Sequence, residues 1–355
     1  MEGYSGVQAS GTRQNNTKAQ TRKAEKPRGV QGFCGSMLRG LSTWPTHPVF
    51  LFLAANFLTI VILSRGRCGL SKCISAYMMT MAVADFTVIV INVILYEIMI
   101  PRLLNTFLHH TNFLIAMMYV LAITLELSQW STVAFTVDRY VAICCQKLKP
   151  KYCRVKTLSI LAPIILILLC VENIPLLFAF EPRQIIGTVS WGTRPILDVL
   201  ASPAFVAFIR VKSIQSLFIV FGLMFLFNGL TIRHILLVSK ARRAFRSYKS
   251  GNAHDREMES RKRSIVLLFS VSASFTLLWL PVTVTYFITS FTMYVNRDYF
   301  SPAQIAVHVG TLLVNLSSCT NTFIYAATQS KFKEELKTLK AFPCSFIMKL
   351  ARKKC

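Results

Sequence analysis

Seven long apolar segments divide this chain, and they constrain its fold more than any other feature. They cover residues 47–64, 74–100, 113–142, 157–180, 213–238, 264–291 and 303–328. A helix rises about 1.5 Å per residue, so each segment reaches the length needed to cross a hydrocarbon core of about 30 Å. None alternates with the two-residue period of a membrane barrel strand. The pattern predicts an all-α membrane protein, a bundle of seven transmembrane helices.

Composition excludes most soluble functions. Charged residues make up 15% of the chain and hydrophobic residues 53%, whereas soluble domains are about 25% charged. The net charge of +25 would suggest nucleic acid in a soluble protein, but the basic residues here lie in short runs between apolar segments, where they face anionic lipid. We therefore predict a lipid bilayer and no nucleic acid as partners. No metal-ligand spacing, phosphate loop or nucleophile elbow occurs, so no enzyme is predicted.

Lysine and arginine predict the orientation. With the N-terminus outside, the inner loops and C-terminal tail hold roughly twice as many of these residues as the outer segments. We predict a disordered extracellular tail over residues 1–45, a transmembrane domain over 46–328, and an amphipathic helix with a cytoplasmic tail over 329–355. This orientation places the protein in the plasma membrane with several passes.

Modification sites are predicted at both ends of the chain. Asn15 begins a glycosylation sequon that requires an extracellular tail, although such triplets also arise by chance. Cys344 and Cys355 follow a basic amphipathic stretch and are candidates for palmitoylation, with free cytosolic thiols as the equal alternative. Because Cys34 is the cysteine left outside in this topology, no intrachain extracellular disulfide is predicted.

Ionisable and strongly polar groups inside the membrane are costly and usually mark function. Asp85, Ser128 and Asn321 are predicted to converge on one hydrated site whose carboxylate binds a proton or a small cation such as sodium. The alternative is hydrogen bonding between helices, worth roughly 1 kcal/mol for each residue. We favour that alternative for Asn56. No other cofactor is expected.

Three features predict a conformational switch. The third segment ends in the charged triplet Asp138-Arg139-Tyr140, where an apolar helix would reach the cytosol. The sixth contains Pro281, which removes a backbone hydrogen bond and kinks the helix. Trp279, one turn inside that kink, could couple a ligand above it to movement below. Taken alone, a tryptophan two residues before a proline is weak evidence.

Together these motifs resemble the rhodopsin-like (class A) G-protein-coupled receptors over about residues 47–340. The match is carried in order by Asn56, Asp85, Asp138-Arg139-Tyr140, Trp279-Leu280-Pro281 and Asn321-Thr322-Phe323-Ile324-Tyr325, followed by Phe332. The local stretches ILSRGRCGLSKC and IYAATQSKFKEELK resemble a group of fish orphan receptors described as probable G-protein coupled receptor 139-like.

This chain departs from the family pattern at several positions. Leu114 stands where the family has the span-three half of its extracellular disulfide, and Trp191-Gly192-Thr193 stands at the other half. Val220 replaces a proline in span five, and Thr322 replaces the proline of the span-seven motif. Span four lacks the usual tryptophan. Arg261 occupies a position where many relatives carry an acid that pairs with the span-three arginine, so raised basal signalling is expected.

The resemblance implies a cell-surface receptor that converts extracellular ligand binding into heterotrimeric G-protein activation. Leu121 occupies the position of the amine-binding aspartate, so a biogenic amine is not expected as the ligand. Glu126 is assigned either to the ligand or to a structural hydrogen bond with a neighbouring helix. The predicted ligand pocket consists of Leu121, Leu125, Glu126, Thr283, Tyr286, His308, Thr311 and Asn315. The predicted switch adds Phe275, Asn321 and Tyr325 to the groups above, and Ser318 joins the polar network around Asp85.

Two other functions remain open at this point. A transporter or channel is weakened by the odd number of spans and by the lack of evident inverted repeats. A receptor-like scaffold that has lost or altered its coupling is made tenable by the substituted motifs.

Overall fold

The computed structural model describes residues 46–66, 68, 70–103, 106–145, 147–148, 155–245, 252–292 and 302–338. The predictions for the tail 1–45, Asn15, Cys344 and Cys355 lie outside these residues, as does the side chain of Arg261.

Long helices occur in the described residues at all seven predicted segments. They are α1 (Thr46–Ser64), α2 (Lys72–Val88, continuing as a π-helix over Ile89–Met99), α3 (Thr111–Cys144), α4 (Val155–Glu172), α5 (Pro203–Ile214, a π-helix Gln215–Val220, and Phe221–Phe245), α6 (Asn252–Thr292) and α7 (Pro302–Thr328). A further helix, α8, covers 330–338, within the predicted amphipathic stretch.

The composition of these helices suits a bilayer. Five of the described helices are long and apolar enough to cross a membrane, and a shorter apolar helix covers Phe50–Ser64. Large apolar side chains on α4 point outward, with Ile160 63% and Ile167 62% exposed, as expected of a surface that faces lipid. The prediction of a seven-helix bundle is confirmed, while the outward N-terminus stays a prediction.

A β-hairpin between α4 and α5 is the main element that the sequence analysis did not predict. Strands β1 (Phe180–Ile186) and β2 (Val189–Pro195) pair antiparallel, and Gly187 takes a left-handed φ of 62° in the turn. The two strands mix charged, apolar and small residues without clean alternation, which hides them from a periodicity argument.

The hairpin is held at the N-terminal end of α3 by non-covalent contacts. His110 and Trp191 form an isolated β-bridge, and their rings meet edge to face with centroids 4.8 Å apart. Thr111 Oγ1 donates a hydrogen bond of 2.6 Å to the carbonyl of Gly192. Leu114, at the usual cysteine position, is buried beside Ile91 and Met117. We call the His110–Trp191 and Thr111–Gly192 contacts the hairpin clasp.

Helices α6 and α7 pack very closely beside the predicted kink. Gly310 on α7 lies against Val282, the residue after Pro281, and a Cβ built on Gly310 would fall 2.7 Å from Val282 Cβ and 2.9 Å from its Cα. Small residues allow this kind of backbone approach between membrane helices. Gly310 therefore sets the separation of α6 and α7 at the level of the kink.

The half of the bundle at the C-terminal end of α7 contains an apolar core into which α8 is anchored. Phe332 of α8 is fully buried, and its ring meets that of Tyr325 edge to face at 6.1 Å. Both pack in one cluster with Phe135 of α3 and Leu268 of α6. Aromatic burial therefore holds the first turn of α8 against the bundle.

Candidate functional site

The polar residues predicted to converge around Asp85 do meet. Ser128 Oγ donates a hydrogen bond of 3.0 Å to Asp85 Oδ1, and Asn321 Nδ2 donates one of 2.7 Å to Asp85 Oδ2. Asp85 is 1% exposed. The network thus joins α2, α3 and α7 through one buried carboxylate, which needs such donors because an unpaired buried charge is costly.

These residues suit a small cation or a proton equally well. The carboxylate of Asp85 and the hydroxyl oxygens of Ser128 and Ser318 are hard oxygen donors of the kind that bind such cations, and Ser318 is also buried. Asn321 faces Asp85 with its nitrogen, which makes it a donor to the carboxylate and not a ligand in this arrangement.

Asn56 serves as a link between helices, the role that the sequence analysis favoured. Its Nδ2 donates a hydrogen bond of 2.8 Å to the backbone carbonyl of Ser318. Thr322, in place of the family's proline, adds a second link: its hydroxyl receives a bond of 3.0 Å from Thr59 Oγ1 and lies 3.4 Å from Asn56 Oδ1. The substitution therefore replaces a proline with a polar contact between α1 and α7.

Trp279 connects the upper part of the bundle to the network below. Its ring stacks on that of Phe275 with centroids 5.4 Å apart and an interplanar angle of 20°. Its Nε1 donates a hydrogen bond of 3.1 Å to Ser317 Oγ on α7. Trp279 and Phe275 are both about 95% buried or more, so neither can change its rotamer without moving its neighbours.

The side chains of the charged triplet at the C-terminal end of α3 contact one another and their neighbours. Arg139 is 5% exposed, pairs with the carboxylate of Asp138, and lies with its guanidinium 6.0 Å from the centre of the Phe135 ring. Tyr140 packs on Phe227 of α5 at 5.2 Å. Arg139 is thus sequestered within α3 by its own neighbours.

A further contact joins the N-terminal half of α6 to the start of α8. Arg263 donates a hydrogen bond of 3.1 Å to Ser330 Oγ.

The hydroxyl of Tyr325, which is fully buried in the core, has no hydrogen-bond partner among the described residues. An unsatisfied buried hydroxyl costs about 1–3 kcal/mol, which favours any rearrangement that gives it a partner.

A cavity of about 440 Å³ opens in the half of the bundle above Trp279, within the range typical of small-molecule sites. Most of the predicted ligand-pocket residues line it: Leu121, Leu125, Glu126, Thr283, Tyr286 and Thr311, together with Trp279. His308 and Asn315 are not among its lining residues. Asn315 is 1% exposed and accepts a hydrogen bond of 2.8 Å from Asn92, which does line the cavity.

Glu126 is held at the wall of this cavity by groups on two other helices. It pairs with the ammonium of Lys212 on α5 and accepts a hydrogen bond of 2.9 Å from Asn173 Nδ2, just beyond α4. Lys212 Nζ also lies 3.5 Å from Glu172 Oε1. The structure therefore places Glu126 on the cavity wall and shows its contacts with neighbouring segments, while its role in ligand binding stays a prediction.

Sequence reasoning missed Lys212 and Asn173. The predicted fifth segment begins at residue 213, so Lys212 was assigned to an outer loop, whereas α5 begins at Pro203 and carries Lys212 into the bundle. A lysine beside an apolar run resembles an ordinary membrane-boundary residue. The signal that could have revealed it is the acid on α3, which requires a cationic partner when buried.

Comparison with known proteins agrees with this architecture. The model of the rhodopsin family of seven-transmembrane receptors matches residues 55–325. A relative described as probable G-protein coupled receptor npr-8, from Caenorhabditis elegans, is 29% identical over 73 residues, which are 21% of this chain and 15% of the relative's length. The match thus spans less than a sixth of that relative.

Because the family model covers most of the chain, including the Asp85 network, the Asp138-Arg139-Tyr140 triplet and α7 as far as Tyr325, this protein belongs to the rhodopsin family of G-protein-coupled receptors. It is a multi-pass membrane receptor of a class that resides in the plasma membrane and works with G proteins. The finer resemblance to the fish 139-like group stays a prediction.

Proposed function

We propose that this receptor converts binding of an extracellular ligand in the 440 Å³ cavity into activation of a heterotrimeric G protein. One observation carries the proposal: Trp279 lines the cavity, stacks on Phe275 and bonds to Ser317 of α7. A ligand that moves Trp279 therefore acts on α6 and α7 at once. The expected change is a population shift towards a bundle whose inner α6 has swung outward.

The contacts of Arg139 support a resting state in which α6 has not swung outward. Opening α6 would break the Arg263–Ser330 hydrogen bond and uncover the inner end of α3, where Arg139 would leave Asp138 to meet the G protein. The Arg263–Ser330 bond is exposed and therefore weak, with a net value of about 1 kcal/mol. The raised basal signalling expected from Arg261 requires that this bond and the packing of Leu268 against Phe135 together hold α6 only weakly.

The test is nucleotide exchange on a panel of purified G-protein subtypes, with and without the receptor in lipid nanodiscs. We expect ligand-free exchange above the receptor-free rate for at least one subtype. Arg139→Ala, at matched receptor concentration, should remove the increase. Exchange that never exceeds the receptor-free rate would reject the basal-activity prediction, and its persistence in Arg139→Ala would reject the role of this residue.

We propose further that Asp85 binds a sodium ion or a proton that stabilises the resting state. Replacing potassium with sodium at constant ionic strength should raise the melting temperature of the receptor if the ion is sodium, and lowering the pH should do so if it is a proton. Asp85→Asn should abolish either response, because the amide carries no charge to neutralise. A response that survives in Asp85→Asn would place the effect elsewhere.

A transporter is the competing function, because the cavity and the polar network lie in the same bundle. Uptake of labelled solutes into liposomes containing the receptor, measured beside nucleotide exchange, separates the two. Uptake without any stimulated exchange would favour the transporter.

A further inference from the structure

The cavity has a charged end that the proposed function alone does not explain. Of its described lining residues, Glu126 and Lys212 are the charged ones, and they pair with each other. Glu172 lies 3.5 Å from the same ammonium. Two carboxylates around one ammonium leave this end of the cavity negative when all three groups are ionised.

Asn173 adds an unmet hydrogen-bond acceptor at the same place. It is fully buried and lines the cavity, and its Nδ2 is used by Glu126 and by the carbonyl of Leu169. Its Oδ1 has no hydrogen-bond partner within the described part of the chain. A buried acceptor without a donor is costly, so a ligand that brings a donor gains affinity here.

We propose that Glu126 and Asn173 Oδ1 receive the cationic, hydrogen-bond-donating group of the ligand, and that Lys212 holds this position in the free receptor and moves to Glu172 when the ligand binds. The ligand ammonium or guanidinium would replace the lysine ammonium at Glu126 and donate to Asn173 Oδ1. Glu172 provides the acceptor that keeps Lys212 paired after the exchange.

The charges favour a cation over an anion. An anionic ligand would have to draw Lys212 from two carboxylates and would then lie beside both of them, whereas a cation meets a negative site. The rest of the ligand would be apolar, because Leu121, Leu125 and Phe208 line the adjoining wall. The 440 Å³ cavity fits a compact molecule of this kind.

This site differs from an amine site at the level of Leu121. Glu126 lies five residues farther along α3, or about 7.5 Å deeper towards the cytoplasmic side. A ligand cation must therefore reach past Leu121 on an extended apolar linker. This requirement disfavours short amines and agrees with the expectation drawn from Leu121.

The experiment uses three probes of nearly equal size that differ in charge: 3-phenylpropylammonium, 3-phenylpropanol and 3-phenylpropanoate. Binding to the purified full-length receptor in nanodiscs is measured by saturation-transfer NMR up to about 10 mM probe, where weak fragment affinities are still detected. We expect the ammonium to bind at least about tenfold more tightly than the alcohol, and the carboxylate to bind weakest.

Substitutions test each step in which the ligand cation replaces Lys212 at Glu126. Glu126→Gln should weaken ammonium binding about tenfold or more, and Lys212→Gln should strengthen it because the carboxylate no longer has an internal partner. Glu172→Gln should weaken it, because the displaced lysine loses its acceptor. If Lys212→Gln fails to fold, the double variant Glu126→Gln/Lys212→Gln removes both charges of the pair, and its preference for the ammonium over the alcohol should be smaller than in the wild type, because the proposed acceptor of the ligand cation is gone.

Glu181→Gln is the matched control, since Glu181 belongs to an exposed ion pair with Arg194 on the hairpin and does not line the cavity. It should leave all three affinities unchanged. Tighter binding of the carboxylate, equal binding of ammonium and alcohol, an ammonium affinity unaffected by Glu126→Gln, or no binding of any probe would each overturn the proposal. The proposal rests on the proposed ligand cavity but not on coupling, because probe binding is measured without G protein and nucleotide exchange without probe.

Discussion

Gly310 offers a sharp test of how closely α6 and α7 must pack. Gly310→Ala adds one methyl group, which would fall 2.7 Å from Val282 Cβ and 2.9 Å from Val282 Cα. Since ordinary carbon–carbon contacts lie at about 3.5–4.0 Å, the two helices must separate by several tenths of an ångström or more. Because a backbone atom obstructs the methyl group, a side-chain rotation cannot relieve the clash.

The magnitude follows from two opposing effects. Overpacking a tight interface costs about 1–3 kcal/mol, whereas replacing glycine with alanine in a helix gains about 0.5–1 kcal/mol. Gly222→Ala on α5 is the matched control, because its new methyl group meets nothing within 4 Å and so keeps the gain without the cost. The difference in the free energy of unfolding between the two variants, about 1–3 kcal/mol, therefore measures the contact alone.

The assay is thermal unfolding of the purified receptor in detergent micelles, where this difference should appear as a melting temperature lower by a few degrees in Gly310→Ala. Adding Val282→Ala should not restore it, since that change removes Cγ2 but leaves both Cβ and Cα in place. Equal melting temperatures for Gly310→Ala and Gly222→Ala would refute the reasoning. Rescue by Val282→Ala would show that the side chain, and not the backbone, limits the approach.

Three further predictions concern the hairpin clasp, the polar network and the first inner loop. Trp191→Ala should lower the melting temperature, because the lost ring pair is worth about 0.5–1.5 kcal/mol, while dithiothreitol should leave the wild-type value unchanged; a fall on reduction would contradict a non-covalent clasp. Asn321→Ala should destabilise the receptor by about 1–3 kcal/mol, because Asp85 loses a donor at 2.7 Å; an unchanged melting curve would argue that solvent replaces it. Burial and then the Glu335 carboxylate raise the pKa of the Cys68 thiol, so peptide-level mass spectrometry should find slower alkylation by N-ethylmaleimide at pH 8 than for an unstructured peptide thiol, and equal rates would show that the thiol is open to solvent.

The sequence predicted the spans well because their signal is local. Apolar length decides whether a segment can cross a bilayer, and the predicted third span, 113–142, differs from α3 at Thr111–Cys144 by two residues at each end. The predicted fifth segment begins at residue 213, ten residues after the observed start of α5 at Pro203. Between Pro203 and Lys212 the chain places Arg210 and Lys212 among apolar residues, and this part of α5 packs against α6.

Part of the candidate site was also predicted from signals within single segments. Asp85, Ser128 and Asn321 were found because each is polar within an apolar span, and Glu126 was found as an acid in the middle of α3. The sequence of α3 alone does not show whether Glu126 binds the ligand or a neighbouring helix. Its partners come from the residue after α4 and from α5. Spacing along one helix carries no information about neighbours 47 and 86 residues away.

The sequence by itself determined that this chain spans a membrane seven times and which polar groups its helices carry inward, because the exclusion of unpaired polar groups from lipid acts on each segment separately. Tertiary structure alone decided several other contacts. It placed Lys212 between Glu126 and Glu172, set Gly310 against the backbone of Val282, and packed Trp191 against the N-terminal end of α3, where the family has a disulfide. These contacts depend on the separation and rotation of whole helices, which result from the packing of all of them together.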